Sequence, residues 1–357
     1  MGAAPGPRLR VGTGVGLPSG PDDVAYVREA ERLGVDSVWT AEAWSHDALT
    51  PLAYYAAKTS TIRLASGIAQ LGARTPANLA MTAMAVQAMS GGRFLLGLGT
   101  SGPQVMEGWH GVRFDRPVTR TRETIDILRA VPSGERVTYD GDVYTLPLPG
   151  GQGVGIRSRA PATYIPVYLA ALGPNNLRLT GERADGWIGN SFVPETAEAF
   201  LGPLREGAAT AGRSLADLDL TVAAGVEFTD DVEGVGRRHA DGYAFTFGAM
   251  GSATTNFYND AFARQGYGDD VRAVQRLWRD GDREAAARRV PLEIGLGTNL
   301  IGTDALVTDR LRRYRAAGIT TIRANPSGAT PSARLQTLAH LMDLVAKVNA
   351  EPTQPPP

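Results

Sequence analysis

Short apolar runs rich in β-branched residues recur along the chain, and each is followed by a stretch whose apolar positions return at helical spacing. Leu9–Val15 precedes Pro21–Leu33, Ser37–Thr40 precedes Thr50–Thr59, Ile62–Ala69 precedes Pro76–Ser90, and Phe94–Gly99 precedes Val118–Arg129. The pattern continues with Val167–Ala171 before Asn175–Arg183, Trp187–Gly189 before Glu195–Ala211 and Leu220–Val226 before a further helical stretch, and closes with Thr320–Ala324 before Ala333–Val348. Such alternation builds parallel sheets, because a parallel crossover needs a helix to carry the chain back. Eight units over about 340 residues predict an α/β fold, a (β/α)8 TIM barrel.

Two stretches break the alternation. Tyr139–Arg159, with its Pro-Leu-Pro-Gly-Gly-Gln-Gly run, reads as an excursion between the fourth and fifth units, and the helical Met250–Gly302 separates strands seven and eight. These are insertions after strands 4 and 7. Excursions at the C-terminal ends of barrel strands act as lids or substrate walls. Residues 1–350 are expected to form a single barrel domain, and the proline-rich 351–357 a disordered tail.

Composition narrows the partners. The chain has 357 residues, 43% hydrophobic and 20% charged, with a formal net charge of −1 and no long basic run, so no electrostatic footprint for nucleic acid or an anionic membrane is present. There is no cysteine, which excludes disulfides, thiolate metal sites and cysteine nucleophiles. Met1–Arg10 lacks the apolar core of a signal peptide and no apolar run is long enough to span a bilayer, so a cytoplasmic protein is expected. Lys58 and Lys347 are the only lysines, and four scattered histidines make no metal-ligand pattern.

Gly97-x-Gly99-x-x-Gly102 has the spacing of a dinucleotide fingerprint. Three βα units precede it, however, and the acid at the right distance, Glu123, falls within a helical pattern instead of ending a strand. The Gly-rich strand end instead lets backbone NH groups of Gly99, Thr100, Ser101 and Gly102 approach a ligand at the barrel mouth, or simply serves a tight turn. Ala171-Leu172-Gly173-Pro174-Asn175 ends the fifth strand and opens a helix with proline in its first turn. That leaves unpaired NH groups for a phosphate, or makes an ordinary βα turn. Asn190 and Ser191, ending the sixth strand, offer neutral donors.

Taken in order, Ser-Val-Trp-Thr-Ala-Glu-Ala-Trp (37–44), Ala-Ser-Gly-Ile (65–68), Gly-Leu-Gly-Thr-Ser-Gly-Pro-Gln-Val-Met-Glu-Gly-Trp-His-Gly (97–111), Ala-Ala-Leu-Gly-Pro-Asn-Asn (170–176) and Ala-Asp-Gly-Trp (184–187) resemble the bacterial luciferase-like family. Within it, the chain is similar to the oxidoreductases that use coenzyme F420, a 5-deazaflavin, including those called methylene-tetrahydromethanopterin reductases. Gly-Ala-Met-Gly-Ser (248–252), Asn-Phe-Tyr-Asn (256–259) and Ile-Gly-Thr (301–303) also look like that branch. The resemblance implies hydride transfer between coenzyme F420 and an unsaturated C=C or C=N substrate, cofactor phosphate at the Gly173-Pro174 loop, and a homodimer. Gly67-Ile68 matches the family's bulge with a non-prolyl cis peptide pressing on the deazaflavin ring. An FMN-using monooxygenase and a non-catalytic flavin-binding barrel are the alternatives on the same fold. Relatives often carry lysine where this chain has Val154 and Asn175. The sugar-phosphate dehydrogenase members place Glu where Gly102 stands and His where Glu42 stands, so that activity is not expected.

Glu42 follows the second strand at the predicted mouth. A carboxylate between Trp39 and Trp44 is expected to be partly desolvated and usable as a proton donor, or else a solvated loop acid. Trp44 is a substrate wall or core. Glu107, Trp109 and His110 share the loop after the fourth strand, and His110 is the second candidate for proton transfer. His46 reads as a helix-start or surface residue, and His239 and His340 as structural.

Overall fold

The computed structural model describes residues 7–16, 20–250 and 256–352. Eight strands carry the architecture: β1 (Arg10–Gly14), β2 (Ser37–Thr40), β3 (Arg63–Ser66), β4 (Phe94–Gly99), β5 (Val167–Ala170), β6 (Gly186–Gly189), β7 (Asp219–Phe228) and β8 (Thr321–Pro326). Each pairs in parallel with the next. The sheet closes where β1 meets β8, from Arg10↔Thr321 to Thr13↔Ala324. This is the (β/α)8 barrel that the alternation predicts. β2, β4 and β6 are buried at every position, because helices cover the outside while side chains fill the inside.

Strand parity sorts the side chains. Val38, Leu64, Leu96, Val167 and Trp187 point outward into the helix layer. Trp39, Ala65, Leu95, Tyr168 and Ile188 form a small cluster inside the barrel. Below it, at the N-terminal ends of the strands, Asp219 carries a polar plug. Its carboxylate receives Arg10 at 2.7 Å and Arg63 at 3.5 Å, with the hydroxyls of Thr321 and Tyr168 each at 2.8 Å. Burial opposes the charge, but Arg10, the Thr320 hydroxyl and Arg63 prevail and hold the Asp219 carboxyl below its usual range.

The first excursion leaves the chain after the helix Pro117–Ala130 and turns back along its outer side, where Arg116, at the start of that helix, donates to the Asp142 carbonyl at 3.1 Å. It packs outside the helix Pro76–Met89 as a small hairpin, Tyr139–Asp140 against Thr145–Leu146. Glu123 fixes that hairpin: its buried carboxylate accepts the backbone NH groups of Asp142, Val143 and Tyr144 at 2.8, 3.0 and 2.8 Å.

The second insertion is larger than the pattern suggests. β7 continues past the barrel, and its end, Val226–Phe228, pairs with Leu300–Gly302. The helix Val232–Ala249 belongs to the insertion, because its Ala240, Ala244 and Phe247 pack with Phe262, Val271, Val274 and Ile294 in a separate core. The helix that returns to β8 is Asp304–Ala316. Residues 251 and 252 of the 248–252 motif lie outside the described residues, as do 353–357 of the expected tail. Glu351 is held by Arg312 at 2.7 Å. Among the described residues, no helix is long and apolar enough to cross a membrane.

Candidate functional site

β3 breaks at its C-terminal end. After Ser66 the chain passes through a cis peptide between Gly67 and Ile68, then rejoins the sheet as Ala69–Gln70 beside Leu98 and Gly99. Gly97 and Gly99 serve this bulge. A Cβ on Gly97 would stand 1.8 Å from the Ser66 carbonyl oxygen, and one on Gly99 would press Ile68 Cγ1 at 3.0 Å. The Ser66 hydroxyl donates to the Gly97 carbonyl and accepts its NH, both at 2.9 Å, which locks the two strands where the bulge begins. Gly102 differs, with extended backbone and no atom but Gln104 Oε1, at 3.8 Å, near a built Cβ. It opens only the four-residue helix Pro103–Met106. With Glu123 engaged by the hairpin, nothing of a dinucleotide fingerprint remains.

The barrel-axis side of the bulge is occupied by Arg323, which the sequence reading passed over. A Cβ on Gly67 would meet Arg323 Nη1 at 2.6 Å and Trp39 Cε3 at 2.9 Å. The guanidinium donates to Asn190 Oδ1 at 3.1 Å and lies over the Trp39 ring at 5.6 Å. Tyr258, from the insertion, lies beside the Asn190 side chain. No carboxylate pairs with Arg323 among the described residues. Burial therefore pushes its pKa down to about 10, which still leaves it charged at neutral pH. A cation placed this way takes a carbonyl, oxyanion or carboxylate at the mouth.

Ser101 and Ser191, at the ends of β4 and β6, hold left-handed backbone, with φ of 58° and 61°. The Ser191 carbonyl accepts from Gln265 Nε2 at 3.0 Å and the Val193 NH donates to Gln265 Oε1 at 3.3 Å, so the insertion is fastened directly over the sixth strand. Thr100, Ser101 and Gly102 border the same rim, partly exposed.

Ala171 and Leu172 lead into Gly173, which precedes the helix Pro174–Arg183 without a side-chain cap. Gly173 has an ordinary φ of −78°, and a Cβ there would meet no protein atom within 4 Å, so neither backbone strain nor packing calls for glycine. Arg264 reaches this loop from the insertion. It donates to the Leu172 carbonyl and, at 3.2 Å, to the Asp260 carbonyl, and it forms no ion pair among the described residues. Burial lowers its pKa. Asn175 sits beside the first turn, and the Asn176 Oδ1 is buried without a partner.

Glu42 is engaged differently from a lone desolvated acid. Its oxygens accept Arg74 Nη1 and Nη2 at 2.8 and 3.1 Å, the Gln70 NH at 2.8 Å and the Ala48 NH at 3.0 Å. Trp39 is inside the barrel and Trp44 is 62% exposed, so no aromatic pair encloses the carboxylate. Glu42 is a clamp that ties the loop after β2 to the strand beyond the bulge. His110 joins the same cluster, its Nε2 lying 2.6 Å from Gln70 Oε1. Trp109 is 65% exposed, and Glu107 accepts the Phe114 NH at 3.0 Å. His46 shares a hydrogen bond with its neighbour Ser45 at 3.1 Å. His239 faces Glu227, and His340 stacks on Phe228 with Asp304 beside it, both away from the bulge. Among the described residues, no group of acids and histidines is placed to hold a metal.

A closed parallel barrel with a bulged third strand, an anion-ready loop after the fifth and an insertion fastened across the mouth defines a ligand-binding barrel of the luciferase-like class. Residues 6–321 match the luciferase-like monooxygenase family, and the chain belongs to that oxidoreductase family. It is 41% identical over 303 residues, 82% of this chain and 87% of the other, to a Mycobacterium tuberculosis protein provisionally named a coenzyme F420-dependent oxidoreductase. It is 27% identical over 315 residues, 88% of this chain and 92% of the other, to 5,10-methylenetetrahydromethanopterin reductase of Archaeoglobus fulgidus. The coenzyme F420-dependent tetrahydromethanopterin reductase of Methanopyrus kandleri has the same fold, with a TM-score of 0.76 at 22% identity, covering 94% of this chain and 98% of that one.

Proposed function

We propose that the protein is a coenzyme F420-dependent oxidoreductase that moves hydride between the deazaflavin and an unsaturated C=C or C=N small molecule. The observation that carries this reading is the Gly67–Ile68 bulge, held between the glycine lane of β4 and Arg323, in a chain that is 41% identical to a relative named for F420. When bound, the cofactor supplies the hydride. The chain supplies the rest: a bed for the ring at Ile68, a cation at Arg323 for an electron-rich oxygen, and a proton source at His110.

The donor set fits an anionic cofactor. Val154 and Asn175 stand where relatives often carry lysine, but Arg264, with no ion pair among the described residues, brings a guanidinium to the Leu172–Asn175 loop from another direction. Its two fixed hydrogen bonds to carbonyls hold it there before any ligand arrives, and the uncapped helix adds NH groups of the right polarity.

Binding separates this cofactor from its rival. Coenzyme F420 is expected to bind at least tenfold more tightly than FMN in fluorescence titrations of the purified protein, and Arg264→Ala to weaken F420 by about tenfold or more, the worth of one charge-assisted hydrogen bond. Tenfold tighter FMN would replace the deazaflavin reading with the monooxygenase one. Unchanged F420 affinity in the variant would remove Arg264 from the site.

A homodimer belongs to the same proposal. The adjacent helices Leu49–Ala56 and Pro76–Met89 contain no charged residue, and they expose Tyr54, Met81 and Met89. With the exposed Val154 and Ile156, Met81 borders an apolar groove of about 800 Å³. A face of this kind favours a second copy over water. Met81→Arg is expected to give a monomer by light scattering at concentrations where the parent is a dimer; a parent that is already monomeric would refute it.

A further inference from the structure

The contact between Gln70 and His110 decides which imidazole nitrogen is available for chemistry. Gln70 is 3% exposed and its side chain has no freedom to reverse. Its Nε2 donates to two backbone carbonyls, those of Glu42 and Ala43, both at 3.3 Å. Exchanging the amide nitrogen and oxygen would set Oε1 against both carbonyls, three acceptors facing one another. The oxygen must therefore face His110, and at 2.6 Å the contact is a hydrogen bond that only His110 Nε2 can donate. Neutral His110 then carries its proton on Nε2, and Nδ1 is the acceptor. In the imidazolium form both nitrogens are protonated, and the proton that leaves is the one on Nδ1. No described residue hydrogen-bonds Nδ1.

We propose that Gln70 is the positioning residue for proton transfer: it fixes His110 in the Nε2–H form and presents Nδ1 as the nitrogen that gives up or takes the proton. This rests on the oxidoreductase reading above. The balance is simple. One atom of the substrate double bond receives hydride from the reduced cofactor, which is oxidised; the other receives the Nδ1 proton; neutral His110 is reprotonated by solvent.

The placement of Gln70 supports the role. It lies two residues beyond Ile68, in the strand that rejoins β4, so the element that carries the ring bed also orients the imidazole. Gln70 also stands between Glu42 and His110. An amide passes on orientation but not charge, so the carboxylate stays with Arg74 while the imidazole keeps its own proton. A carboxylate at position 70 would have made an acid–imidazole pair, favouring the charged ring throughout the cycle.

Heteronuclear NMR of the imidazole nitrogens tests this without a substrate. The chain has only four histidines, so loss of one signal set in His110→Gln assigns it. Above the ring's titration, wild-type His110 is expected to show a protonated Nε2 and an unprotonated Nδ1. Gln70→Leu should lose that preference and give a mixture of tautomers. Gln70→Glu keeps an acceptor and adds charge. It should restore the Nε2–H form that Gln70→Leu loses, a rescue that a purely structural role would not produce. A wild-type ring protonated on Nδ1 overturns the proposal, as does an unchanged tautomer in a folded Gln70→Leu protein. The wild-type measurement decides even if that variant fails to fold. Absence of F420 binding would remove the oxidoreductase reading while leaving the tautomer intact, so the two failures are separable.

Discussion

Asp219→Ala should lower the stability of the barrel by about 3 kcal/mol, the lower end of what breaking a buried ion pair costs. The side chain is 9% exposed and accepts from two arginines and three hydroxyls. Its loss strands those donors below the barrel cluster. The cost stays at the lower end because Arg63 keeps Asp36, at 3.0 Å from its Nε, and Arg10 reaches solvent. The pH dependence has a definite sign. Asp219 has its carboxyl pKa lowered in the folded state, so its contribution is complete above the unfolded value of about 4 and is lost as pH falls through the folded value. Urea midpoints of wild type and Asp219→Asn should therefore differ most at neutral pH and converge as pH falls below the unfolded value of about 4 and through the lower folded one. A gap that is constant with pH would mean that packing, not charge, holds the plug together.

The barrel was legible because its signal is local. Each strand is a short apolar run and each helix an amphipathic one, and the two periods alternate in register with the chain. The second insertion shows where that logic stops. Val232–Ala249 has helical spacing whichever core it faces, and only the structure reveals that its apolar side serves the insertion. The first excursion shows the limit too: it follows the helix Pro117–Ala130 in the chain, and only the contacts of Arg116 and Glu123 reveal that it turns back along that helix.

The site was legible in part. Nothing in the hydrophobic pattern of Leu64–Gln70 marks a bulge, so Gly67 and Ile68 came from resemblance alone. Glu42 was placed correctly at the mouth, but its partner Arg74 lies 32 residues away, and an ion pair of that separation leaves no local pattern. Arg264 was hidden for the same reason, since it reaches the fifth-strand loop from an insertion 92 residues downstream of Leu172. Arg323 left a usable signal. In the predicted strand Thr320–Ala324, Ile322 and Ala324 face the helices, which puts Arg323 inside the barrel near its C-terminal end, where a charged side chain is read as functional.

The glycines at 97, 99 and 102 should respond to alanine in a graded order that a phosphate loop would not give. Gly97→Ala sets a Cβ 1.8 Å from the Ser66 carbonyl oxygen, a backbone atom fixed by its own strand, so the bulge itself must move. F420 binding is expected to fall by about 100-fold or more, equivalent to about 2.7 kcal/mol, with a lower unfolding temperature. Gly99→Ala brings its Cβ to 3.0 Å from Ile68 Cγ1, a side-chain atom that can yield by a few tenths of an ångström. Its loss should be nearer tenfold, with stability largely kept, because the pressure falls on the ring bed and not on the sheet. Gly102→Ala meets nothing closer than Gln104 Oε1, at 3.8 Å, and its φ of −141° suits any residue, so affinity should stay within about threefold. Had the three glycines cradled a phosphate, position 102 would be among the most sensitive, since there the backbone must come close to the ligand. Titration of F420 into the three variants, with thermal unfolding measured in parallel, gives the order directly. A Gly102→Ala protein that folds normally and loses the cofactor would assign these glycines to ligand contact rather than to the bulge.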